Sequence, residues 1–449
     1  EFIISVDCGI ANAEEIDVAK ELGIQVVVTD HHEFADRLPD ADAIIHPRLP
    51  NTDYPFGGLC GAAVAFKLAW ALCQIDSDAT RVKPAHRDFL MMAVGIAAIG
   101  TVADVVPLQD ENRIIVTHGL RALKQRPPTG LATLMKITGL SNKREFDAQD
   151  IGFNIGPRLN AAGRLGQAPL GVELLVTDDP GRAQELAEYL DNLNNDRKKI
   201  ERSINLAATK QIKEKYNIET DPAFVLAGHG WNAGVIGVVS GRLAEKYGRP
   251  VILIALDQMG VKPGIGSARN GGIGNLHEAL QHCTEHLMKH GGHAAAAGLT
   301  IEESQIDGFR SAFCEYIQES VSDEDRIVEV VIDAEAPLSQ LTAQTIVQMQ
   351  QLGPFGEANP APVLCASNVE VVKGTAKRMG GGERHLSVKV AQYGTTLRAV
   401  AFGQGDWAEE LDQVPGQIDV VFKPVINEFR GQRNVELHLE DWRAVSESA

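Results

Sequence analysis

"FIISVDCGIANAEEIDVAKELGIQVVVTDHH" (residues 2–32) decides the fold of the first part of the chain. Phe2–Val6 is a short apolar run. The spacing of Ile16, Ala19 and Leu22 predicts a helix over 13–22, with Gly23 as its stop signal. Ile24–Thr29 is a second apolar run. Strand, helix and strand within residues 2–29 make a βαβ unit, which implies a parallel sheet covered by helices on both faces. Such sheets present their working residues beyond the carboxyl ends of the strands. Asp7 ends the first strand, and Asp30, His31 and His32 end the second, so acids and imidazoles meet on one sheet edge. The three valines at 26–28 predict a buried central strand that holds this polar end rigidly.

Composition bounds the rest. A chain of 449 residues exceeds one ordinary domain, and about two to four are expected. Hydrophobic content of 44% and charged content of 23% are those of a soluble globular protein. No run of about 18 uninterrupted apolar residues occurs, so no membrane span or membrane partner is expected; Phe89–Ile99 reads as a core helix. Cys8, Cys60, Cys73, Cys283, Cys314 and Cys365 form no CxxC pair, which fits reduced thiols in a cytoplasm. The formal charge of −18 argues against non-specific coating of duplex nucleic acid, but a local basic channel remains compatible with it. No signal peptide is visible. The chain opens at Glu1 directly in a strand pattern, so further residues are expected ahead of it.

Helices are expected over 61–72, 89–99, 111–124 and 131–138. Residues 177–216 then read as one long connecting helix. Asp179 is its N-cap, Pro180 its first residue, and Leu186, Leu190, Leu193, Ile200 and Ile204 a narrow apolar stripe. A second α/β unit follows, with strands over 223–227 and 251–255 around a helix over 234–247 that Gly248 ends. Further helices are expected over 276–289 and 305–321. From Arg326 the pattern turns to alternation: "RIVEVVID", "NVEVVKGTAK", "HLSVKVAQ", "TTLRAVAFG", "QIDVVFKPV" and "NVELHLEDW". Turns are expected at Gly380–Gly382 and Glu428–Gly431, and a small β-barrel of the OB type is the leading expectation. The expected division is 1–178, 179–217, 218–322 and 323–445. No fixed-period repeat or low-complexity run is present.

"GTVADVVPL" places Asp104 after an apolar helix, where a charged group needs a partner. Asp-His-His alone reads either as a solvated loop or as part of a metal site, and Asp7 one strand over favours the site. Carboxylates with imidazoles suit Mn²⁺, Mg²⁺ or Zn²⁺. Two such ions about 3.5–4 Å apart would hold a phosphodiester, sharpen a hydroxide and stabilise the leaving oxygen.

"ISVDCGI", "VTDHHE", "YPFGGLCGAAVAFKLAWAL" and "GTVADVVPL" resemble, in order, successive motifs of the DHH phosphoesterase family. "IGPRLNAAGRL", "GWNAGVIGVVSGRLAEKYGRPVILIAL", "GSAR", "GGHAAAAGLTI" and "LGPFGEANPAPVL" narrow the resemblance to its RecJ type, single-stranded-DNA-specific 5′→3′ exonucleases serving repair and recombination. The resemblance covers essentially the whole chain. It implies a parallel-sheet DHH domain, a long helix, a DHH-associated domain gripping nucleic acid across a cleft, and an OB-like barrel. It implies that Asp7 bridges two Mn²⁺ or Mg²⁺ ions, that His31 and Asp104 ligate one of them, that Asp30 orients an imidazole, and that His32 faces the metals or the scissile phosphate. Arg158, among small residues, either meets phosphate or pairs with a nearby acid; Arg164 has a weaker claim to phosphate. Ser267 and Arg269 resemble a 5′-phosphate pocket that sets polarity. Gly291, Gly292 and His293 offer close backbone approach and one donor, or simply a tight helix-to-strand turn. Implied partners are single-stranded DNA and a helicase or single-strand-binding protein, with the protein expected to be a monomer.

Other features read more plainly. His282, His286 and His290 fall at i, i+4 and i+8 of a predicted helix, a spacing that can bind zinc, but no further ligand completes it. His46, His86, His118, His229, His385 and His438 stand alone. Cys8 reads as small packing, and Gly264-x-Gly266 is too little for a dinucleotide motif. Phe402, Trp407, Phe422, Phe429 and Trp442 are either barrel core or base-stacking platforms, with core favoured.

Departures from the family matter too. The family opens with a strand ending in an Asp-x-Asp motif, which residues 1–449 lack; this chain by itself is therefore expected to be a poor nuclease and to fold poorly alone. Asn232 stands where the family usually has His, and Ala358 where it usually has Gly. Two alternatives follow: a DHH enzyme cutting oligoribonucleotides or cyclic dinucleotides, whose kind lacks the β-barrel tail, and a RecJ-like binding subunit with a weakened metal site.

Overall fold

The two apolar runs that flank the first helix pair side by side and in parallel, Phe2 with Gln25 through Val6 with Thr29. The computed structural model describes residues 1–77, 81–322, 329–429 and 431–445. In chain order the first elements are β1 (Phe2–Val6), α1 (Ala13–Glu21), β2 (Gln25–Thr29), β3 (Ala43–Ile45), α2 (Gly61–Ser77), α3 (Pro84–Ala103), α4 (Asp110–Gln125), α5 (Thr129–Ile137), α6 (Ala148–Asp150), α7 (Gly156–Arg164), α8 (Ala168–Val176) and α9 (Pro180–Lys215). The second α/β region contains β4 (Phe224–His229), α10 (Ala233–Tyr247), β5 (Val251–Leu256), β6 (Gly264–Arg269), α11 (Leu276–His282), β7 (Lys289–Gly292), β8 (Ala296–Ile301) and α12 (Ile306–Ser320). The tail contains β9 (Ala334–Glu335), α13 (Ala343–Gln350), β10 (Leu364–Val371), β11 (Lys377–Met379), β12 (His385–Gln392), β13 (Thr395–Ala401), α14 (Trp407–Gln413), β14 (Ile418–Phe429) and β15 (Gln432–Ala444).

These elements form two compact units. One comprises residues 1–128, 140–154 and 330–449; the other comprises 129–139 and 155–329. Residues 129–139 and 155–178, expected with the first domain, thus belong to the second unit, and the barrel belongs to the first.

In the first unit β1, β2 and β3 form a parallel sheet with β2 in the centre. Val26 and Val28 are buried, as a central strand requires. The expectation of cover on both faces fails for β1 among the described residues: Phe2, Ile3, Ile4 and Val6 are all exposed, and the strand lies at the sheet edge. α3 is 20 residues long and apolar enough, by length and composition, to cross a membrane, which its shorter reading over 89–99 did not anticipate. Here it packs against α2 and α4 and buries Val94, Ala97, Ala98 and Ile99.

The tail of this unit closes on itself. β10, β12 and β13 are neighbours, β13 runs parallel to β15, β15 pairs with β14, and β14 returns to β10. That is a five-stranded barrel of the OB type. Leu386, Val388 and Val390 alternate into its core with Ala399, Ala401, Val420 and Phe422, the two-residue period of strands that face a core on one side. Residues 329–333 of "RIVEVVID" are not strand, and Arg326–Val328 lie outside the described residues, as does Arg430 in the expected turn.

The second unit is built on a five-stranded sheet of order β4-β5-β6-β8-β7. α9 and α10 bury Ile204, Ala208, Val235 and Val239 on one face; α11 and α12 bury Leu276, Leu280, Phe309 and Phe313 on the other. α9 starts where its cap predicts: the Asp179 carboxylate accepts from the N–H groups of Gly181 (2.7 Å) and Arg182 (3.2 Å). α10 ends at Gly248 in the left-handed conformation, φ 57°. The helix expected over 276–289 is a correction. α11 stops at His282, and the chain turns through residues 284–286 into strand β7, because Gly291 and Gly292 pair with Gly298 and Ala297 of β8. His282, His286 and His290 therefore share no helix face, and the zinc spacing dissolves. The helix-to-strand turn read into Gly291–Gly292 is likewise a strand.

Candidate metal centre and anion-binding surface

The polar end of β2 is organised by Asp30. Its carboxylate is almost fully buried. One oxygen accepts the Ile10 N–H (3.0 Å); the other accepts the N–H groups of His31 (2.7 Å) and His32 (3.2 Å) and the His32 Nδ1–H (2.7 Å). Burial alone pushes this carboxyl up, but those hydrogen bonds outweigh it and hold Asp30 below the ordinary carboxylate range. The same bond raises the pKa of His32. Asp30 is thus the post around which both histidines are wound, and it is too enclosed to touch a substrate.

His31 is the centre of the site. Its Nε2 lies 3.1 Å from Asp7 Oδ1 and 3.5 Å from Asp104 Oδ2. That nitrogen is buried and makes no hydrogen bond. A neutral imidazole lone pair aimed at two carboxylates is repelled by both, and the arrangement is favourable only with a positive charge among the three atoms. A ligand atom each from Asp7, His31 and His32 lies within 4.8 Å of the others. Hard oxygens with imidazole nitrogen are the donor set of Mn²⁺, Mg²⁺ or Zn²⁺, so these residues fit such an ion.

Backbone geometry aims the two acids. Asp7 sits at φ 62°, a left-handed conformation that costs a residue with a side chain roughly 1–2 kcal/mol, and its N–H still bonds Thr29 O at 2.9 Å. The carboxylate lies over Gly61, the first residue of α2, where any Cβ would strike it. The positive end of that helix therefore faces the carboxylate, and only glycine leaves room for it. Asp104 caps the C-terminus of α3. Burial pushes its carboxyl up; His31 opposes this and Asp7 adds to it.

Two further residues clamp the loop from the end of β3, and no motif marked either of them. His46 is buried and tilted against the Phe34 ring. Its Nδ1 accepts the Arg48 N–H (3.0 Å), so its Nε2 carries the hydrogen and donates to His32 O (2.9 Å). Burial pushes His46 down, which keeps that neutral tautomer. The Arg48 guanidinium donates to His31 O (2.8 Å) and to Glu33 (2.6 Å). Both histidine carbonyls are thus held by residues just beyond the next strand. Asn112, fully buried, similarly ties Gly58 O (2.6 Å) to Pro107 O (2.9 Å). Ala358 adopts φ 55°, a left-handed conformation that a glycine would hold without side-chain strain.

The second unit gathers cations. Arg164 donates to Gly234 O (2.9 Å), and Arg269 to Ser267 Oγ (3.2 Å) and Ala268 O (2.7 Å). No carboxylate bonds either guanidinium among the described residues. Desolvation pulls both pKa values down; Arg197 adds to this for Arg164, and Arg164 adds to it for Arg269. Arginines crowded together beside the N-terminus of a helix have the charge and the donors that suit an anion. A Cβ on Gly237 of α10 would come within 3.0 Å of Ser267 Oγ and 3.3 Å of an Arg269 nitrogen, so glycine there lets the helix close on the pair. Asn232 caps α10: its Oδ1 accepts the Gly234 N–H at 2.9 Å. Ser267 pairs with Gly298, and Gly298 with Gly291, so "GSAR" and "GGH" share one row of the sheet. His293 closes the β7–β8 hairpin through its N–H to Ala296 O (2.8 Å). Arg158 differs from these: its Nε bonds Asp191 at 2.7 Å, the acid-paired alternative of the two readings open to it.

Comparison with known proteins fixes the class first. The model of the DHH family, N-terminal domain, matches residues 1–96, that of the DHHA1 domain matches 220–319, and that of the RecJ OB domain matches 332–441. The chain is 37% identical over 448 residues to the single-stranded-DNA-specific exonuclease RecJ of Bacillus subtilis, covering 99% of this chain and 54% of that protein. It is 35% identical to RecJ of Escherichia coli, covering 98% and 77%. The crystal structure of RecJ in complex with Mn²⁺ from Thermus thermophilus superposes with a TM-score of 0.83 at 30% identity, covering 99% of this chain and 62% of that one. The chain belongs to the RecJ family of single-stranded-DNA-specific exonucleases. It spans about half the length of the Bacillus relative and about three quarters of the Escherichia one.

Proposed function

We propose that this protein hydrolyses phosphodiester bonds of single-stranded DNA from the 5′ end with a divalent metal, Mn²⁺ or Mg²⁺, in the processing of DNA ends during repair and recombination. The observation that carries the reading is the His31 imidazole nitrogen, buried between the Asp7 and Asp104 carboxylates with no hydrogen bond. Asp7, His31 and Asp104 would hold the ion, with His32 beside them. When bound, the ion polarises a phosphoryl oxygen and lowers the pKa of water.

The chain's own residues do the rest. Asp30 fixes the His32 ring with Nδ1 protonated, which leaves the other ring nitrogen available to the substrate side. His46 and Arg48 keep the loop in place. Ser267, Arg269 and Arg164 bind the 5′-phosphate at the N-terminus of α10, which selects the end. Asp7, His31 and Asp104 would supply three of the donors that one such ion takes. The match of the RecJ OB domain over 332–441 supports this reading against the oligoribonuclease and cyclic-dinucleotide alternative, whose enzymes lack such a tail.

Hydrolysis of a 5′-phosphorylated single-stranded oligonucleotide by the full-length gene product in Mn²⁺ tests the proposal. Asp104→Ala is expected to lose more than about 100-fold in rate, beyond the loss typical of a residue that only supports a ligand. Undiminished hydrolysis by that variant sinks the metal assignment.

A further inference from the structure

Asp104 reaches the candidate metal site from a loop that is strained at both ends. It caps the C-terminus of α3, and its N–H bonds Gly100 O at 2.9 Å. The next residue, Val105, is 65% exposed at φ 58°, and Asp110, which opens α4, is at φ 41°. A β-branched residue in the left-handed region is strained, and such strain persists only where the surroundings impose it. Asn112 holds the middle of the loop through Pro107 O at 2.9 Å. Its other fastenings come from residues 239 to 249 positions further along the chain.

Residues 352–359 connect α13 to β10, and α13 packs against β14 and β15, so this segment is rooted in the barrel of the same compact unit. Glu357 O accepts the Leu108 N–H (2.7 Å), and Ala358 O accepts a hydrogen from Gln109 Nε2 (2.9 Å). Arg113 Nη2 donates to Leu352 O (2.6 Å) and Gly353 O (3.3 Å), bonds that its charge strengthens. Gly356 lies against the buried Leu108 side chain: a Cβ there would come within 2.7 Å of Leu108 Cδ1. Asn359 shapes the segment, with Nδ2 donating to Leu352 O (3.2 Å) and Pro354 O (2.8 Å) and its backbone paired with Gly356. These contacts all meet the loop that carries Asp104 or the first turn of α4. If the loop shifts, the Asp104 carboxylate leaves its place 3.5 Å from His31 Nε2.

We infer that Arg113 and Gln109 are positioning residues for the metal site, acting through the barrel-rooted segment 352–359 to hold Asp104 where it can share an ion with His31. The inference rests on the metal reading above, and its test separates the two. Mn²⁺ is titrated calorimetrically into the full-length protein, and hydrogen exchange at the Leu108 amide is followed separately in EDTA. Arg113→Ala is expected to bind Mn²⁺ about 10- to 100-fold more weakly, the range for residues that orient ligands, and Arg113→Lys to recover part of the loss. Gln109→Ala removes one neutral hydrogen bond from an exposed side chain and should cost about 2- to 10-fold without threatening the fold. Added to Asp104→Ala, either change should weaken binding no further, because a clamp acting through that carboxylate has nothing left to hold. In EDTA, Arg113→Ala should exchange the Leu108 amide faster than wild type. Unchanged Mn²⁺ affinity in both Arg113→Ala and Gln109→Ala overturns the inference. An equal loss with and without Asp104 also overturns it, by assigning the effect to general loosening of the unit. Unchanged exchange at Leu108 overturns the clamp whatever the metal does. Faster exchange in a protein whose wild type takes up no Mn²⁺ defeats the metal reading and leaves the clamp in place.

Discussion

The end of β2 and the N-terminus of α10 are opposite solutions to one problem. At the first, an imidazole nitrogen is buried between two carboxylates, and the missing charge is positive. At the second, Arg164 and Arg269 are crowded by other arginines, with no carboxylate bonded to either among the described residues, and the missing charge is negative. Each is unfavourable alone, because like-signed groups crowded together repel one another until a counter-charge arrives. Comparing them shows how to tell a binding site from a structural ion pair. Arg158, near the start of α7, reaches Asp191 on α9 at 2.7 Å and is satisfied. Among the described residues Arg164, the last residue of the same helix, meets only a backbone carbonyl, Gly234 O.

The comparison can be broken at either end. The largest expected effect after loss of Asp104 is at the anion side. Arg269→Ala removes a charged donor worth roughly 1.5–3 kcal/mol, so preference for a 5′-phosphate over a 5′-hydroxyl should fall about 10- to 100-fold. Competition between the two ends in a digestion assay measures it, and unchanged preference dismisses the pocket. The cation side is sharpened by His46→Ala, which frees His32 O and lets the loop drift. Mn²⁺ affinity is expected to fall about 10- to 100-fold, the range for residues that orient ligands, while His46→Gln, with a side-chain N–H to offer, should recover part of it. Equal affinity in wild type and His46→Ala would show that the clamp is only structural. The smallest effect is at Asn232: Asn232→Ala removes the cap of α10 and should cost about 1 kcal/mol in a denaturant melt. No loss of stability there would mean that the cap contributes little to holding the helix beside Arg269.

Much of this was legible in the sequence because its signals are local. The βαβ opening, the Asp179 cap and Pro180 start of the long helix, Gly248 as a stop, and the strands His385–Gln392 and Thr395–Ala401 are each encoded within a few residues of where they act. Asp7, Asp30, His31, His32 and Asp104 stood out because charge at the ends of apolar segments is conspicuous. What was misread depends on partners distant in sequence. Residues 276–289 have helical spacing, but pairing of Gly291 and Gly292 with β8 makes the end of that segment a strand. The short helices α7 and α8 carry glycines and prolines that hide them. His46 looked isolated because its partner, His32 O, is a backbone atom beyond another strand, which no side-chain pattern marks. Gly61 looked like one helix residue among many, and only the fold puts it beneath the Asp7 carboxylate.

The central claim is that Asp7, His31 and Asp104 hold a divalent cation, and the most direct test is calorimetric titration of Mn²⁺ into the full-length protein without DNA. Saturable binding is expected, and His31→Ala should weaken it by more than about 100-fold, the upper end of what loss of a merely supporting residue would do. Binding by His31→Ala that is indistinguishable from wild type would contradict it.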